Sequence, residues 1–295
     1  MLTIFGCPKS FGNAHAAMIQ HNAIRSWTLL NPRPEIMLLG NDEGTSKMCQ
    51  SLGLRFVPEV TCNEYGTPLV SDLFEKAYSL ASHRVLCYVN ADIILMNDFM
   101  RVARLVMECK RRFLIVGRRW DVGIARPLDF ESDWEDALRA HITQNGRLHP
   151  PTGTDYFIFT RGVWEEIPPF AVGRSVWDNW LIYGARSSGT PVIDATEAIT
   201  AVHQNHDYSH LKLATDEVPD GPEIKLNRDI AGGWKYIFTV SDATHVLVTR
   251  RNGGPYMLRR NLRTAPVSVL KACKQMSYWV GAGTRFVKRR AGWVT

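Results

Sequence analysis

Residues 84–95 read RVLCYVNADIIL, and this stretch decides the fold class. The apolar run Val85–Val89 predicts a buried strand, and Asn90-Ala91-Asp92 interrupts it before Ile93. A carboxylate inside such a run is costly to bury without a partner. We therefore expect the strand to end at Asn90, which places Asp92 at an edge of a sheet. There it serves as a salt-bridge or capping partner, or as a metal ligand.

Apolar runs and helical patterns alternate on both sides of this stretch. Predicted strands cover Leu2–Phe5, Glu35–Leu39, Arg55–Val60, Phe113–Gly117, Tyr156–Phe159 and the broadly extended Val192–Val202. Predicted helices cover Ala14–Leu30, Ser46–Leu52, Pro68–Ala81, Phe99–Cys109, Trp134–Thr143 and Trp177–Ser187. This alternation indicates an α/β fold with a mostly parallel sheet covered on both faces. Such sheets bind ligands beyond the C-terminal ends of their strands.

A resemblance to a known family rests on the same residues. Strand–Asn90-Ala91-Asp92–strand, placed after three β–α units, resembles the Asp-x-Asp motif of GT-A glycosyltransferases. Gly153–Phe157 and Trp177–Trp180 also resemble uncharacterised bacterial proteins of glycosyltransferase type. The resemblance covers residues 1–210 and implies a GT-A-like (Rossmann-like) domain that uses a divalent metal to bind a nucleotide-sugar donor. Asn90 departs from the motif, which has an aspartate there.

The resemblance also implies metal ligands. Mn²⁺ and Mg²⁺ accept oxygen ligands and bridge a carboxylate to a diphosphate. Asp92 is the expected carboxylate ligand, and the amide oxygen of Asn90 is expected to contact ribose or the metal. GT-A enzymes often add a histidine from just after a late strand, which favours His203 and then His206 in the run HQNHDYSH at 203–210. The alternative is a polar turn whose histidines bond the backbone.

Two carboxylates and one arginine are further candidates. Asp178 opens a predicted helix, so it caps that helix or, as the resemblance implies, serves as the catalytic base of an inverting transferase. Asp155 precedes a strand and either holds sugar hydroxyls or caps a turn. Arg118, with Arg119 beside it, follows the Phe113–Gly117 strand and either pairs with the diphosphate or lies in a solvated turn.

The nucleotide is expected at the ends of the first two strands. The resemblance assigns it to Phe5, Gly6 and Cys7, and to Asp42, which would contact uracil or ribose of a UDP-sugar. Glycine at position 6 permits a close backbone approach. Turn chemistry explains Gly6-Cys7-Pro8 equally well.

The alternation of strands and helices ends before residues 211–295, which we expect to form a C-terminal extension. Two strands are expected there, Trp234–Val240 and Thr244–Thr249, followed by a basic helical tail. The chain has 35 Lys and Arg against 29 Asp and Glu, but no acidic residue follows Asp242 and eleven basic residues lie from Arg250 onward. Such a tail fits an anionic membrane surface, or it packs against the body of the protein. Nucleic acid is not an expected partner, because no nucleic-acid module precedes the tail.

Composition narrows the class of protein. Hydrophobic residues make up 45% and charged residues 22%, which excludes a disordered or fibrous chain. Six scattered cysteines favour a reducing compartment over a disulfide framework. The apolar stretch at Leu2–Phe5 is too short for a signal peptide, and no run approaches the roughly 18 apolar residues of a spanning helix. We therefore expect a cytoplasmic protein, with peripheral attachment at the inner face of the membrane through its tail.

Sugar transfer from a nucleotide sugar to a glycan or lipid-linked acceptor is the first functional hypothesis. A sugar-phosphate nucleotidyltransferase is the second, although CPKSFG at 7–12 departs from the Gly-rich, Arg-containing loop of those enzymes. The third is a non-catalytic nucleotide- or glycan-binding protein with the same fold, for which Asn90 is the best argument.

Overall fold

The computed structural model describes residues 1–205, 221–248, 256–262 and 264–290. The strands are β1 (Leu2–Gly6), β2 (Glu35–Leu39), β3 (Arg55–Val57), β4 (Val85–Val89), β5 (Ile93–Ile94), β6 (Leu114–Val116), β7 (Trp120–Val122), β8 (Arg147–Leu148), β9 (Tyr156–Thr160), β10 (Val192–Asp194), β11 (Val202–Gln204), β12 (His245–Val248) and β13 (Met257–Arg260). The helices are α1 (Ala14–Thr28), α2 (Thr45–Leu52), α3 (Val70–Leu80), α4 (Asn97–Cys109), α5 (Trp134–Asn145), α6 (Trp177–Ser187), α7 (Pro222–Ile230) and α8 (Val267–Arg290).

A large, mostly parallel sheet forms the centre of the molecule. Within the described residues its strand order is β13-β12-β10-β6-β9-β4-β1-β2-β3. Strand β9 runs antiparallel to both β4 and β6, and β13 runs antiparallel to β12. Because β9 is reversed, its first residue, Tyr156, lies opposite Val89, the last residue of β4. The start of β9 therefore reaches the edge at which the parallel strands end.

A second, smaller sheet with the order β5-β11-β7-β8 stands beside that edge. Strand β11 pairs antiparallel with β5 and parallel with β7, so His203 lies opposite both Ile93 and Asp121. Strand β7 pairs antiparallel with β8, which places Asp121 opposite Arg147. The small sheet thus brings together segments that are far apart in the chain.

Helices cover both faces of the large sheet, as the alternating pattern predicts. Helices α1, α2 and α4 pack on one face, and Trp27 and Phe99 are fully buried there. On the other face α3 and α6 pack against a cluster of aromatic rings. In that cluster the Phe74 ring stacks on the Tyr88 and Phe159 rings, with centroids 5.7 and 5.4 Å apart. These two cores fix the positions of the strand ends.

One predicted strand is wrong. In place of the strand predicted over Trp234–Val240, the structure has a 3-10 turn at Trp234–Tyr236, and a second one begins at Val240 and ends at Asp242. The aromatic residues of this stretch pack on a helix instead of a sheet: the ring centroids of Tyr236 and Phe238 lie 4.8 and 5.4 Å from that of Tyr183 in α6. The extended stretch expected over Val192–Val202 is also shorter, since only its two ends form strands, and these belong to different sheets.

Of the two predicted C-terminal strands, Trp234–Val240 and Thr244–Thr249, only the second forms, as β12, and its antiparallel partner β13 lies in the basic tail, where no strand was predicted. Strand β12 adds to the large sheet in parallel beside β10, and β13 pairs with β12. The division at residue 210 stays a prediction, although β12 shares the sheet of the preceding region. None of the helices in the described ranges combines the length and apolar character that crossing a membrane requires.

Candidate active site

Asn90 and Asp155 meet where β4 ends and β9 begins. The Asn90 N–H donates to the Asp155 carbonyl oxygen at 2.9 Å, and Asn90 Nδ2 donates to Asp155 Oδ1 at 2.8 Å. The Tyr88 hydroxyl donates to Asn90 Oδ1 at 3.0 Å and so fixes the orientation of the amide. An aspartate at position 90 would set its carboxylate against that of Asp155, and two adjacent like charges repel. The neutral amide of Asn90 is therefore compatible with an acid supplied by the neighbouring strand.

Arg119 is the fixed positive charge of the site. Its Nη1 lies 2.8 and 2.7 Å from the two carboxylate oxygens of Asp155, and its Nε donates to Asp121 Oδ1 at 2.8 Å. Burial lowers the pKa of Arg119, but the charges of Asp155 and Asp121 outweigh it and raise the pKa above its usual value. The neighbouring Arg118 donates through Nε to the His149 carbonyl oxygen at 2.5 Å. A contact between Arg118 and a diphosphate stays a prediction.

Asp121 connects two histidines to Arg119. His149 Nδ1 lies 2.6 Å from Asp121 Oδ2, and His203 Nδ1 lies 3.2 Å from Asp121 Oδ1. Burial raises the pKa of Asp121, but hydrogen bonds from His203 and His149, with the charge of Arg119, hold that pKa well below its usual range. Sequence reasoning missed Asp121 and His149. The weak signal for Asp121 was its position just after Arg118, Arg119 and Trp120, beyond the end of a predicted strand.

Asp92 and His203, two predicted metal ligands, lie side by side. His203 Nε2 is 3.7 Å from Asp92 Oδ2, and the His203 side chain is only 5% exposed. Gln204 Nε2 donates to the Asp92 carbonyl oxygen at 3.0 Å, and Asn22 Nδ2 donates to Gln204 Oε1 at 2.9 Å. These buried amides fix the Asp92 backbone against β11. His206 lies outside the described residues.

The donor set fits a metal ion only in part. In the described portion of the chain, no three His, Cys, Asp or Glu side chains are arranged to hold an ion. Asp92 and His203 offer one oxygen and one nitrogen donor, which are acceptable to Mn²⁺. The Arg119 guanidinium pairs with Asp121 and Asp155, whereas the third carboxylate, Asp92, lies beside His203, so an added cation next to Asp92 is electrostatically favourable. A divalent ion fits here when a ligand such as a diphosphate completes its coordination.

Asp178 lies in the first turn of α6, close to the start of β9. The Thr154 N–H donates to Asp178 Oδ2 at 3.4 Å. Burial raises the pKa of Asp178 from 3.8 to about 7, and the charge of Asp155 adds to this rise, although backbone N–H groups of Asn179 and Thr154 oppose it. A carboxyl with this pKa exchanges a proton near neutrality, as a general base does. Val176 occupies the N-cap position of α6 and Asp178 lies inside the first turn, so the structural alternative to a base is a favourable interaction with the helix dipole and not a side-chain cap.

The backbone directly before Asp178 is strained. Val176 has φ 94° and ψ −36°, and it is the one non-glycine residue of the described ranges with a positive φ. A β-branched residue in this region is an outlier that costs about 1–3 kcal/mol and persists only when surrounding structure imposes it. Such strain concentrates at functional positions. It therefore adds to the case that Asp178 is held for a purpose.

The predicted nucleotide residues lie together at the ends of β1 and β2. The Phe5 ring is fully buried among aromatic rings, so it packs the core. Burial raises the pKa of the Cys7 thiol to about 12, and nearby Asp42 adds to the rise, so Cys7 is a neutral thiol. Asp42 itself is exposed. A contact of these residues with a nucleotide stays a prediction.

At Gly6 the backbone of β1 lies close to the end of β4. A Cβ placed on Gly6 would lie 2.7 Å from the Val89 carbonyl oxygen, which is backbone and cannot turn away. We expect Gly6→Ala to lower the free energy of unfolding by about 1–3 kcal/mol and to displace Asn90, weakening donor binding. The measurements are chemical denaturation and nucleotide titration. Gly123→Ala is the matched control, because nothing lies within 4 Å of its added Cβ. Equal stability of the two variants would contradict this prediction.

Among known proteins, only solved structures are similar to this chain. No family model matches the chain, and no curated protein matches it significantly. The chain is similar to S. aureus TarS (residues 1–349) in complex with UDP-GlcNAc, at 12% identity and a TM-score of 0.51, over 78% of this chain and 65% of that chain. It also aligns with glucosyl-3-phosphoglycerate synthase from Mycobacterium tuberculosis in complex with Mn²⁺ and UDP-glucose, at 12% identity and a TM-score of 0.46, over 92% and 91% of the two chains.

The TarS likeness and the sheet order together show that the chain has a GT-A-type glycosyltransferase fold. This confirms the predicted fold class. At 12% identity the likeness shows the fold alone. Our chain also spans just under two thirds of the TarS fragment.

Proposed function

We propose that this protein is a glycosyltransferase that moves a sugar from a nucleoside-diphosphate donor to a hydroxyl acceptor. The proposal rests on two carboxylates with different surroundings, Asp178 and Asp92, which both lie at one edge of a GT-A-type sheet. Asp178 is a carboxyl whose pKa lies near neutrality, whereas Asp92 stands beside His203 as a cation site. One centre suits proton removal, and the other suits the diphosphate.

A divalent metal is part of this proposal. Asp92 and His203 would hold it, and when bound it would supply positive charge to the leaving diphosphate. Asp121 holds Nδ1 of His203, so that Nε2 faces Asp92. Carboxylates that bond the second nitrogen of a ligating histidine fix its orientation and raise its basicity.

The proposed chemistry is a direct displacement at the anomeric carbon. Asp178 takes the proton of the acceptor hydroxyl while the new glycosidic bond forms and the bond to the diphosphate breaks. Asp155 is 5% exposed, and both of its carboxylate oxygens contact Arg119. Its contacts favour a positioning role, in which it fixes Asn90 and Arg119 and raises the pKa of Asp178.

The test is a donor screen followed by a transfer assay. Nucleotide sugars are first screened by thermal shift with and without Mn²⁺, because a ligand that binds only the native state raises its stability. The donor selected is then supplied with a labelled sugar and candidate glycan or lipid-linked acceptors. A labelled glycan product supports the proposal. Pyrophosphate release from a sugar phosphate and a nucleoside triphosphate would instead favour a nucleotidyltransferase, and donor binding without turnover would favour a binding protein.

We also propose that the end of α8 touches an anionic membrane surface. The first part of α8 packs against the body, where Lys274 Nζ lies 2.9 Å from Asp242 Oδ2 and the Tyr278 ring stacks on the Trp234 ring at 5.5 Å. All charged residues that follow Tyr278 in the sequence are positive, namely Arg285, Lys288, Arg289 and Arg290. The exposed apolar side chains Leu262 and Met276, 91% and 63% accessible, lie in the same C-terminal region.

Deletion of residues 279–295 is expected to weaken binding to anionic vesicles. It removes four positive charges, each of which contributes about 1 kcal/mol near anionic lipid, so the loss should be about tenfold or more. Transfer to a water-soluble acceptor should not change, because the contacts of Lys274 and Tyr278 remain. Co-sedimentation with anionic and with neutral vesicles measures the effect. If the deleted protein binds anionic vesicles as tightly as the full chain, the membrane proposal is wrong.

A further inference from the structure

The strained residue Val176 is held from outside its own segment. Residues 171–176 lead into α6, and the side chain of Asn227 in α7 contacts both ends of the segment. Asn227 Oδ1 accepts from the Ala171 N–H at 2.8 Å, and Asn227 Nδ2 donates to the carbonyl oxygens of Ala171 at 3.0 Å and Ser175 at 3.2 Å. Asn227 is fully buried, so these backbone groups meet an amide in place of water.

A second contact joins the same two elements. Glu223, also in α7, accepts from Arg174 Nε at 2.7 Å and from Asn63 Nδ2 at 2.8 Å. Burial raises the pKa of Glu223, but hydrogen bonds from Asn63 and Thr67 and the pairing with Arg174 lower it overall. Glu223 therefore stays charged and keeps Arg174 in place. Helix α7 thus contacts residues 171, 174 and 175, directly before the strained position.

We propose that α7 is the element that positions Asp178, and that Asn227 is its principal positioning residue. This inference rests on the proposed role of Asp178 as a base, and it assigns a task to a helix outside the predicted transferase region 1–210. Asn227 fixes Ala171 and Ser175, this holds Val176 at its positive φ, and α6 then begins with Asp178 beside the Thr154 N–H.

Loss of the Asn227 amide has a defined consequence. The Ala171 N–H and two carbonyl oxygens would lose their buried partners, and the segment would move to recover them. Val176 would then relax toward the negative φ that a β-branched residue prefers. The first turn of α6 would shift, and Asp178 with it. Misplacement of a reacting group by about 1 Å can cost about a hundredfold in rate.

The test uses Asn227→Ala, Val176→Gly and the double variant. Asn227→Ala should lower kcat about tenfold or more while the KM for the donor changes less than about twofold. Val176→Gly should keep kcat near that of the wild type, because glycine adopts a positive φ without strain. The double variant should recover part of the lost kcat, because strain at position 176 no longer adds to the displacement of the helix start. A merely structural Asn227 would give no such rescue, so a double variant as slow as Asn227→Ala overturns the proposal.

Arg174→Gln covers the case in which Asn227→Ala does not fold. Arg174 is only partly buried, so its replacement should leave the fold intact while it removes the charged contact with Glu223. We expect kcat to fall about threefold with an unchanged donor KM. A wild-type kcat for Arg174→Gln contradicts the proposal that α7 positions Asp178.

Hydrogen exchange separates this inference from the proposed function. The Trp180 N–H donates to the Val176 carbonyl oxygen at 2.9 Å and so reports on the start of α6. Its exchange should be about tenfold faster in Asn227→Ala and unchanged in Asn261→Ala, whose amide donates to Ala243 in another region. Unchanged exchange in Asn227→Ala overturns the positioning role. If the wild type transfers no sugar but exchange responds as expected, the proposed function fails and the positioning of α6 by α7 stands.

Discussion

Asp178→Asn is expected to lower kcat for sugar transfer by about a hundredfold or more, with donor affinity nearly unchanged. The reason is that the amide cannot accept the acceptor proton, whereas it keeps the shape of the carboxyl. Asparagine also keeps an oxygen that accepts from the Thr154 N–H, so the start of α6 should be preserved. Steady-state kinetics measures kcat, and calorimetric titration of the donor measures the affinity.

Thermal melting provides the control for Asp178→Asn. If the variant folds normally and transfers sugar at close to the wild-type rate, Asp178 has a structural role at the start of α6 and is not the base. The result would then favour a retaining mechanism, or Asp155 as the working carboxylate. Asp155→Asn is the companion variant, and its effect on Asn90 and Arg119 should appear as lower stability together with lower activity.

The raised pKa of Asp178 also predicts two dependences on pH. The base form exists above the pKa, so kcat should rise with pH and level off above about 7. Stability has the opposite sign. Because the folded pKa exceeds the unfolded value of 3.8, the contribution of this group to the free energy of unfolding is present below about pH 4 and is lost as pH rises through about 7. Asp178→Asn should therefore melt higher than the wild type at about pH 8, by more than it does at about pH 4.

Asp92→Ala is expected to abolish the metal-dependent part of donor binding. Removal of one of the two proposed metal ligands should weaken donor affinity in Mn²⁺ at least about tenfold, while affinity in EDTA stays the same. Only the side chain changes, so the hydrogen bond from Gln204 to the Asp92 carbonyl oxygen remains. Calorimetric titration of the donor in Mn²⁺ and in EDTA gives both values.

A matched control for Asp92→Ala is Asp129→Ala, which removes an exposed acid. It should leave donor binding unchanged in both buffers. Equal donor affinity in the wild type and in Asp92→Ala, measured in Mn²⁺, would remove Asp92 from the metal site. Equal donor affinity in the wild type and in Asp92→Asn, measured in Mn²⁺, would show that donor binding does not need the negative charge of Asp92.

The sequence predicted the long, buried elements that carry several of the candidate residues. Strand β4 was evident because its apolar run is uninterrupted, and the break at Asn90 placed Asp92 at the C-terminal edge. Asp178 was found because α6 has a clear helical pattern with an acid in its first turn. In each case a single local sequence pattern predicted both the strand or helix and the place of the polar residue on it.

Asp121 and His149 could not be predicted in the same way. Strand β7 has only three residues, and it pairs with two short strands that are remote in the chain. A short strand offers too few positions for alternation to be visible, so its stability depends on tertiary contacts. The strain at Val176 could not be predicted from the sequence either. Valine rarely adopts a positive φ, and no local sequence pattern indicates one at this position.

The burial of both faces of β9 limits which changes in chain length the protein can accommodate. Tyr156 and Ile158 fill one core, Phe157 and Phe159 fill the other, and all four are completely inaccessible to solvent. Inserting or deleting one residue in β9 would exchange these faces and would move Asp155 away from Asn90. Homologous chains should therefore keep the length of β9 constant and concentrate their insertions in exposed turns.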